Sequence, residues 1–386
     1  MQSLDDFATG KLAALERRKL RRRLVETQRL DTATAVRRGR QLISFSCNDY
    51  LNLSRHPAVV AAAMAAVREH GVGSGASRLI TGNHPLFAEL EGRLAGLKGS
   101  EDACVFGSGY LASTGIIPAL AGPDDLILLD QLSHACLWTG ARLSRATVRP
   151  FRHNDTGHVH SLLAEYRPRH PHALIVTEGV FSMDGDLAPL PALSRLARQH
   201  DAWLMSDDAH GLGVTGGGRG SSFAHGTPVQ VPLQMGTLSK AAGAYGGYLC
   251  ASHTVCELMR NRARTFVYST GLPPAIVAAA IAALDLIDRE PDYAARPLRK
   301  AKAFTRGLAL PEAQSPIVPL ILGGAERALA AARLLEEEGF LVAPIRPPTV
   351  PEGTARLRFT FSAEQPDDAV DRLITVVRDA IMTGAS

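Results

Sequence analysis

Short apolar runs alternate with helical patterns from about residue 48 to 270, and this alternation limits the possible folds more than any other feature of the chain. The candidate strands are Ala103–Phe106, Leu126–Leu129, Ala173–Thr177, Ala202–Ser206 and Leu233–Met235. Helical spacing lies between them over Pro85–Leu97, Gly109–Leu120 and Pro191–Gln199. Strand and helix in regular succession imply parallel strands joined by helices that cover both faces of one sheet. The predicted class is α/β, with a mostly parallel sheet in a large domain. In such a sheet ligands collect at the carboxyl ends of the strands.

The pattern changes near residue 275. Ala275–Leu286 predicts a long connecting helix. Beyond it come an alternating run Ile317–Leu322, a helix Ala325–Glu337, and strands around Phe340–Ala343 and Ala355–Thr360. That order predicts a smaller α+β domain at the C-terminus. A chain of 386 residues exceeds one small core, so two domains are the natural expectation. Ahead of the alternation, Leu4, Phe7, Leu12, Leu15 and Leu20 punctuate a charged stretch and predict an amphipathic opening helix. The expected division is a helical segment 1–47, a large domain 48–285 and a small domain 286–386.

Composition removes several classes of function. Hydrophobic residues make up 46% and charged residues 21%, the balance of a soluble globular protein. The net charge of +4 is too small to dictate a partner. Arg17-Arg18-Lys19-Leu20-Arg21-Arg22-Arg23 is basic but lacks interleaved aromatics, so it reads as a solvated helix face and not as a nucleic-acid surface. Residues 1–40 carry no apolar signal segment, and the longest apolar stretch, Pro274 to Ile287, is too short to span a bilayer. The five cysteines form no CxxC pair. Neither a disulfide framework nor a metal site is expected, and a reducing, cytoplasmic setting fits.

Two segments carry the chemistry. Lys240 lies in Gly236-Thr237-Leu238-Ser239-Lys240-Ala241-Ala242-Gly243, among small residues and hydroxyls that suit a reactive amine. Upstream, Trp203-Leu204-Met205-Ser206-Asp207-Asp208-Ala209-His210-Gly211 runs from an apolar strand into acids and a histidine. A Schiff-base lysine, an acid for a pyridine nitrogen and small hydroxyl residues for a phosphate are what pyridoxal phosphate (PLP) requires. An acid at a strand end favours the protonated ring nitrogen as an adjacent opposite charge does. Asp207 is the candidate, with Asp208 as the alternative if Asp207 caps the turn. His210 suits proton transfer near neutral pH.

Other candidates surround this pair. Val105-Phe106-Gly107-Ser108-Gly109-Tyr110 follows a strand and opens a helix, where small residues let backbone N–H groups approach a phosphate; the same pattern equally fits a tight strand-helix turn. Thr237 and Ser239 add hydroxyls. His134 follows a strand and can stack on a planar ring, while Glu178 and Ser182 face the same crevice. Gly71-Val72-Gly73-Ser74-Gly75-Ala76-Ser77-Arg78 lacks the third glycine and the preceding strand of a dinucleotide fingerprint, so a substrate-contacting loop is expected instead. Arg356 and Arg358, two apart on a predicted strand, share a face; either can bind an amino-acid carboxylate as a bidentate fork.

These segments resemble the α-oxoamine synthases, a family of fold-type I PLP enzymes. The likeness runs from Ser46-Cys47-Asn48-Asp49-Tyr50-Leu51 to Ala355-Arg356-Leu357-Arg358. Thr177-Glu178-Gly179-Val180-Phe181-Ser182-Met183-Asp184-Gly185-Asp186 and Asp207-Asp208-Ala209-His210-Gly211 are its most specific stretches. The resemblance implies Lys240 as the Schiff-base lysine, Asp207 as the ring-nitrogen partner, His134 as the stacking histidine and His210 as the partner of the phenolic oxygen. It implies Ser182 beside the ring, and Thr237, Gly109 and Tyr110 on the phosphate side. Ser269 and Thr270 are implied to reach the phosphate of a neighbouring subunit, so a homodimer is expected. Asn48 and Arg358 are implied to hold the amino-acid carboxylate, and Arg21, Arg346 and Thr349 to meet the acyl substrate. The implied reaction is decarboxylative condensation of an amino acid with an acyl thioester. The Arg346-Pro347-Pro348-Thr349-Val350-Pro351 run favours the member that uses alanine and a pimeloyl thioester over glycine- or serine-using sisters. A non-catalytic ligand-binding module is the rival from another class.

Overall fold

A computed structural model of the chain describes residues 2–18 and 20–383. Its strands are β1 (Thr27–Arg29), β2 (Thr34–Arg37), β3 (Arg40–Ser44), β4 (Asp102–Phe106), β5 (Leu126–Asp130), β6 (Thr147–Phe151) and β7 (Ala173–Glu178). There follow β8 (Trp203–Asp207), β9 (Leu233–Thr237), β10 (Gly247–Ala251), β11 (Ile317–Gly323), β12 (Phe340–Leu341), β13 (Ala343–Ile345) and β14 (Ala355–Thr360). Seven of them form one sheet in the order β4-β10-β9-β8-β7-β5-β6. Every expected strand of the large domain is present, four of them one or two residues longer than the apolar run and β8 shifted by one residue from Ala202–Ser206. β10 pairs antiparallel with both β4 and β9, whereas β5, β6, β7, β8 and β9 run parallel.

The period of two along each strand sends alternate side chains to opposite faces. Cys104, Phe106, Ile127, Leu129, Leu174, Val176, Met205 and Leu249 enter one core, under the helices Gly109–Leu120, Ala135–Ser144 and His253–Arg262. Ala103, Val105, Tyr248 and Cys250 enter the core on the other face with the helices Pro57–His70, Leu86–Lys98 and Pro274–Arg289. Leu126, Leu128, Ile175 and Leu204 extend that face under the helices Thr156–Tyr166 and Leu190–Gln199. Each fully buried Leu, Ile or Val contributes roughly 1.5–3 kcal/mol relative to exposure. The central strands are therefore rigid supports for whatever their ends carry.

The C-terminal sheet is antiparallel in the order β11-β14-β13. Its core gathers Phe304, Leu335, Leu357, Phe359, Phe361 and Leu373 from strands and flanking helices. The run expected as one strand over Phe340–Ala343 divides: β12 pairs with β3, and β13 with β14. The opening segment also departs from expectation. It is helical over Gln2–Arg17, with no buried residue, and Lys19 lies outside the described residues. Residues 27–44 are three strands, because Arg38 and Gly39 both take positive φ, 52° and 75°, in a two-residue hairpin turn between β2 and β3.

Candidate active site

The carboxyl ends of β7, β8 and β9 bring Glu178, Asp207 and Lys240 together. Lys240 sits just past β9 in a loop closed by Leu238 N–H to Gly246 O (3.0 Å) and Gly243 N–H to Lys240 O (2.8 Å). Its amine lies 2.8 Å from Nε2 of His210. Burial pushes the amine below its ordinary pKa, against the pull of Asp207 and Glu178 and with Arg358 adding to the depression. An amine held toward its neutral form can act as nucleophile and base.

Asp207 ends β8 and is 5% exposed. Burial raises its carboxyl to about 6, with Lys240 and the Ala209 N–H, 3.0 Å from Oδ1, opposing the rise. Asp208, the alternative acid, is engaged elsewhere: Lys98 Nζ donates to it at 2.5 Å and Ser221 N–H at 3.0 Å. Gly220 is required there, since at φ 102° a Cβ would sit 1.8 Å from the Asp208 carboxylate. His210 is buried and held well below its usual range by burial, with Lys240, Arg358 and His134 adding to the effect.

His134 caps the helix Ala135–Ser144 through Nδ1, which accepts from Cys136 N–H, and the residue is exposed. The His134 and Ser182 N–H groups donate to the two carboxylate oxygens of Glu178 at 2.7 and 3.1 Å. Glu178 thus ties the His134 loop to the Ser182 loop. Burial and the Asp207 charge hold its carboxyl well above the ordinary range. Asp207 and Glu178 share the pull on Lys240, and with Glu178 so raised the charge beside the lysine rests mainly on Asp207.

Arg356 and Arg358 part ways in the structure. Arg356 pairs with Asp184 at 2.5 Å and donates to Met183 O at 3.2 Å. Arg358 donates from Nε to Ser182 O (2.5 Å) and from Nη1 to Asn48 Oδ1 (3.2 Å). Its Nη2 is buried without a hydrogen-bond partner. A buried guanidinium with an unengaged N–H edge is a costly arrangement that a carboxylate relieves. Tyr50, fully buried, joins this group to the lysine: its Oη lies 3.3 Å from Asn48 Oδ1 and 2.6 Å from His210 Nδ1. Sequence reasoning quoted Tyr50 within a motif and gave it no task, since its partner is 160 positions away.

The remaining candidates are more dispersed. Gly109 approaches Thr237 so closely that a Cβ would lie 3.2 Å from the Thr237 Cβ, which brings the helix N-terminus, capped by Ser108 on the Leu111 N–H, beside β9. The Thr237 hydroxyl donates to Gly246 O at 2.7 Å and accepts from Ser239 N–H, so it holds the lysine loop. Tyr110 is exposed, its hydroxyl 3.3 Å from Thr139 Oγ1. Ser269 and exposed Thr270 lie next to Gly107 along a separate edge, with Thr270 bridged to Ser77. No hydrogen bond among the described residues joins them to Lys240. Arg346 and Thr349 line a cleft of about 200 Å³ with Leu20 and Arg22. Arg21, the neighbour of both, turns to Glu16 at 3.3 Å on the exposed surface. In the glycine-rich loop, Arg78 is engaged with Glu91 at 2.5 Å and stacks 4.0 Å over Phe87.

Comparison with known proteins places this geometry. Residues 40–377 match the aminotransferase class I and II family. A putative 8-amino-7-oxononanoate synthase of Acidiphilium cryptum is 63% identical over 385 residues, covering 100% of both chains. The 8-amino-7-oxononanoate synthase of Beijerinckia indica is 62% identical over 377 residues, 98% of each. Among solved structures, a serine palmitoyltransferase from S. paucimobilis with a bound PLP–myriocin aldimine superposes with a TM-score of 0.91 at 30% identity, over 99% of this chain and 98% of that one. The cofactor of such enzymes is PLP, and the residues present fit it: an amine of lowered pKa, a buried acid and an exposed histidine whose ring feels the Lys240 charge stand together at the strand ends. Sharing more than three-fifths of its sequence with the two synthases and its fold with the palmitoyltransferase, the chain belongs to the 8-amino-7-oxononanoate synthases, PLP-dependent acyltransferases of fold type I.

Proposed function

We propose that the chain condenses L-alanine with a pimeloyl thioester, releasing carbon dioxide and the thiol, to form 8-amino-7-oxononanoate for biotin synthesis. The observation that carries this reading is the unengaged Nη2 of Arg358, buried in the same hydrogen-bonded group as Lys240. It gives an amino-acid carboxylate a partner within reach of the reactive amine. PLP bound here supplies an electron sink for the substrate carbon next to nitrogen. Lys240 is the residue to hold it covalently, with Asp207 at the ring nitrogen, His134 on the ring face, His210 and Ser182 at its edge, and Gly109, Tyr110 and Thr237 toward the phosphate.

The chain's own groups then divide the work. Arg358 and Asn48 hold the carboxylate of alanine and so orient the α-carbon. The Lys240 amine, kept toward its neutral form, removes the α-proton at Nζ. Asp207, buried and anionic beside a cation, keeps the ring nitrogen charged. Tyr50, Asp207, His210 and Arg358 are buried, which limits water around the reacting atoms. Arg346 and Thr349, with Arg21 next to their cleft, are proposed to meet the acyl chain.

We further read the enzyme as a cytoplasmic homodimer. Leu79, Ile80 and Tyr268 are exposed on the two segments that the Ser77–Thr270 bridge brings together, apolar surface that a second subunit would cover. The cysteines are all unpaired, as a reducing compartment requires, and no helix among the described residues is long and apolar enough to cross a membrane.

The deciding experiment is product identification after incubation with L-alanine and pimeloyl-CoA, or the pimeloyl carrier-protein thioester. Glycine and serine, and shorter and longer acyl chains, run in parallel. The reading predicts 8-amino-7-oxononanoate and free thiol with alanine as the best amino acid. Faster thiol release with serine or glycine would assign the chain to a sister activity.

A further inference from the structure

From the Tyr50–His210–Lys240 hydrogen bonds we infer that Tyr50 is a positioning residue: its phenol fixes the neutral tautomer of His210 and thereby keeps the Lys240 amine deprotonated whenever that amine is free. This rests on the reading of Lys240 as the reactive lysine.

The argument starts from one hydrogen and two acceptors. The phenol is fully buried, and burial pushes it up to about 12, so it carries its proton throughout the working range. Two groups can take that hydrogen. His210 Nδ1 lies at 2.6 Å and Asn48 Oδ1 at 3.3 Å. The nearer contact is a full-strength hydrogen bond and the farther one is beyond the optimum for O–H···O. Asn48 Oδ1 is in any case supplied by Arg358 Nη1 at 3.2 Å. The hydroxyl therefore donates to Nδ1, and a neutral imidazole that accepts at Nδ1 carries its proton on Nε2.

That Nε2–H points at Lys240 Nζ, 2.8 Å away. An ammonium has only donors and cannot accept it; a neutral amine has the lone pair that can. Protonating Lys240 then requires the Tyr50–His210 bond to reverse, with Nδ1–H donating to the phenol and the phenol turning its own hydrogen to Asn48 Oδ1 at 3.3 Å, so that Nε2 can accept from the ammonium. That reversal leaves the phenol only its longer contact; charging His210 instead is opposed by Arg358 on β14, Lys240 and His134 around the ring, and would leave Nε2–H still facing Nζ. The acids that favour a charged lysine, Asp207 at the end of β8 and Glu178 at the end of β7, are real opponents, and Cys136 adds a weaker one. The tautomer lock is what tips this balance beyond the effect of burial alone. Its value is that of one hydrogen bond involving a charged state, which corresponds to about a tenfold change in the protonation equilibrium.

The test uses the PLP-loaded enzyme. Visible absorbance of bound PLP and kcat against pH are measured for the wild type, for Tyr50→Phe, and for a protein carrying 3-fluorotyrosine at position 50, which keeps the shape and makes the phenol a stronger donor. The inference predicts that Tyr50→Phe retains bound PLP and moves the acid limb of kcat up by about one pH unit, with activity approaching wild type at high pH. The fluorinated protein moves that limb the other way. A Tyr50→Phe limb that stays in place, or a loss of kcat equal at all pH values, would overturn it. If Tyr50→Phe fails to fold, the fluorinated protein decides alone: a limb that is unmoved or raised overturns the inference. A wild type that binds no PLP would instead break the reading of Lys240.

Discussion

Asp207 and Asp208 are adjacent in sequence, and each faces a lysine, yet the two pairs are built to opposite ends. Lys98 and Asp208 are 1% and 2% exposed and in direct contact at 2.5 Å, with Arg219 O taking a second lysine N–H at 2.7 Å. The pair is closed upon itself and locks the loop 208–221 to the helix Leu86–Lys98. Lys240 has no carboxylate within hydrogen-bonding reach among the described residues; it meets a neutral imidazole, and Asp207 keeps a raised pKa. Arg356 and Arg358 repeat the contrast, one engaged by Asp184 and the other left with an open edge. Burial with completed partners makes structure. Burial with partners withheld makes a site.

The largest expected difference between the two regions is in activity. Lys240→Ala should reduce turnover on the order of 10⁴-fold and abolish covalent PLP attachment, while leaving the unfolding transition close to wild type. Lys98→Met should do the reverse. An unpaired Asp208 at full burial costs about 3–5 kcal/mol, read as a lower denaturant midpoint, with PLP attachment intact in the folded fraction. If Lys98→Met left stability unchanged, the closed pair would not be the lock described here.

The arginines sharpen the same contrast more gently. Arg358→Lys removes the open edge and should raise the KM for alanine about 10- to 100-fold with a smaller change for the thioester. Arg356→Lys should leave the KM for alanine within about twofold and lower stability instead. Steady-state kinetics with each substrate varied separately separates the two outcomes.

Which of these pairs matter was only partly legible in the sequence. Apolar runs closing on Asp207 and just short of Lys240 announced two strand ends, and the parallel sheet followed from their spacing. β6 was hidden because it is an edge strand with exposed Arg149 and Pro150, which leaves little apolar pattern. β10 was hidden behind the glycine-rich turn that precedes it. The helix Pro291–Gly307 carries Pro297 in its interior, a residue that argues against a helix until packing overrides it. The choice between Arg356 and Arg358, and the position of Tyr50, depend on contacts across more than 150 residues that no local pattern records.

The remaining expected effect concerns pH. Asp207 has a folded pKa of about 6, above the unfolded carboxylate value near 3.9, so its ionisation weakens the PLP-free fold as pH rises from about 4 to 6, and the penalty stays constant above that. Asp207→Asn should therefore stabilise the PLP-free protein by roughly 2–3 kcal/mol at pH 8 and by almost nothing at pH 4. Denaturant unfolding at the two pH values checks it; a gain of equal size at both would mean that the charge on Asp207 is not what strains the site.

The claim beneath all of these is that Lys240, and not the better-buried Lys98, is the lysine left free to react. Borohydride reduction of the PLP-loaded enzyme followed by peptide mass spectrometry reads this directly. The account predicts a single phosphopyridoxyl label on Lys240 and an unmodified Lys98. A label on another lysine, or none on Lys240, would contradict it.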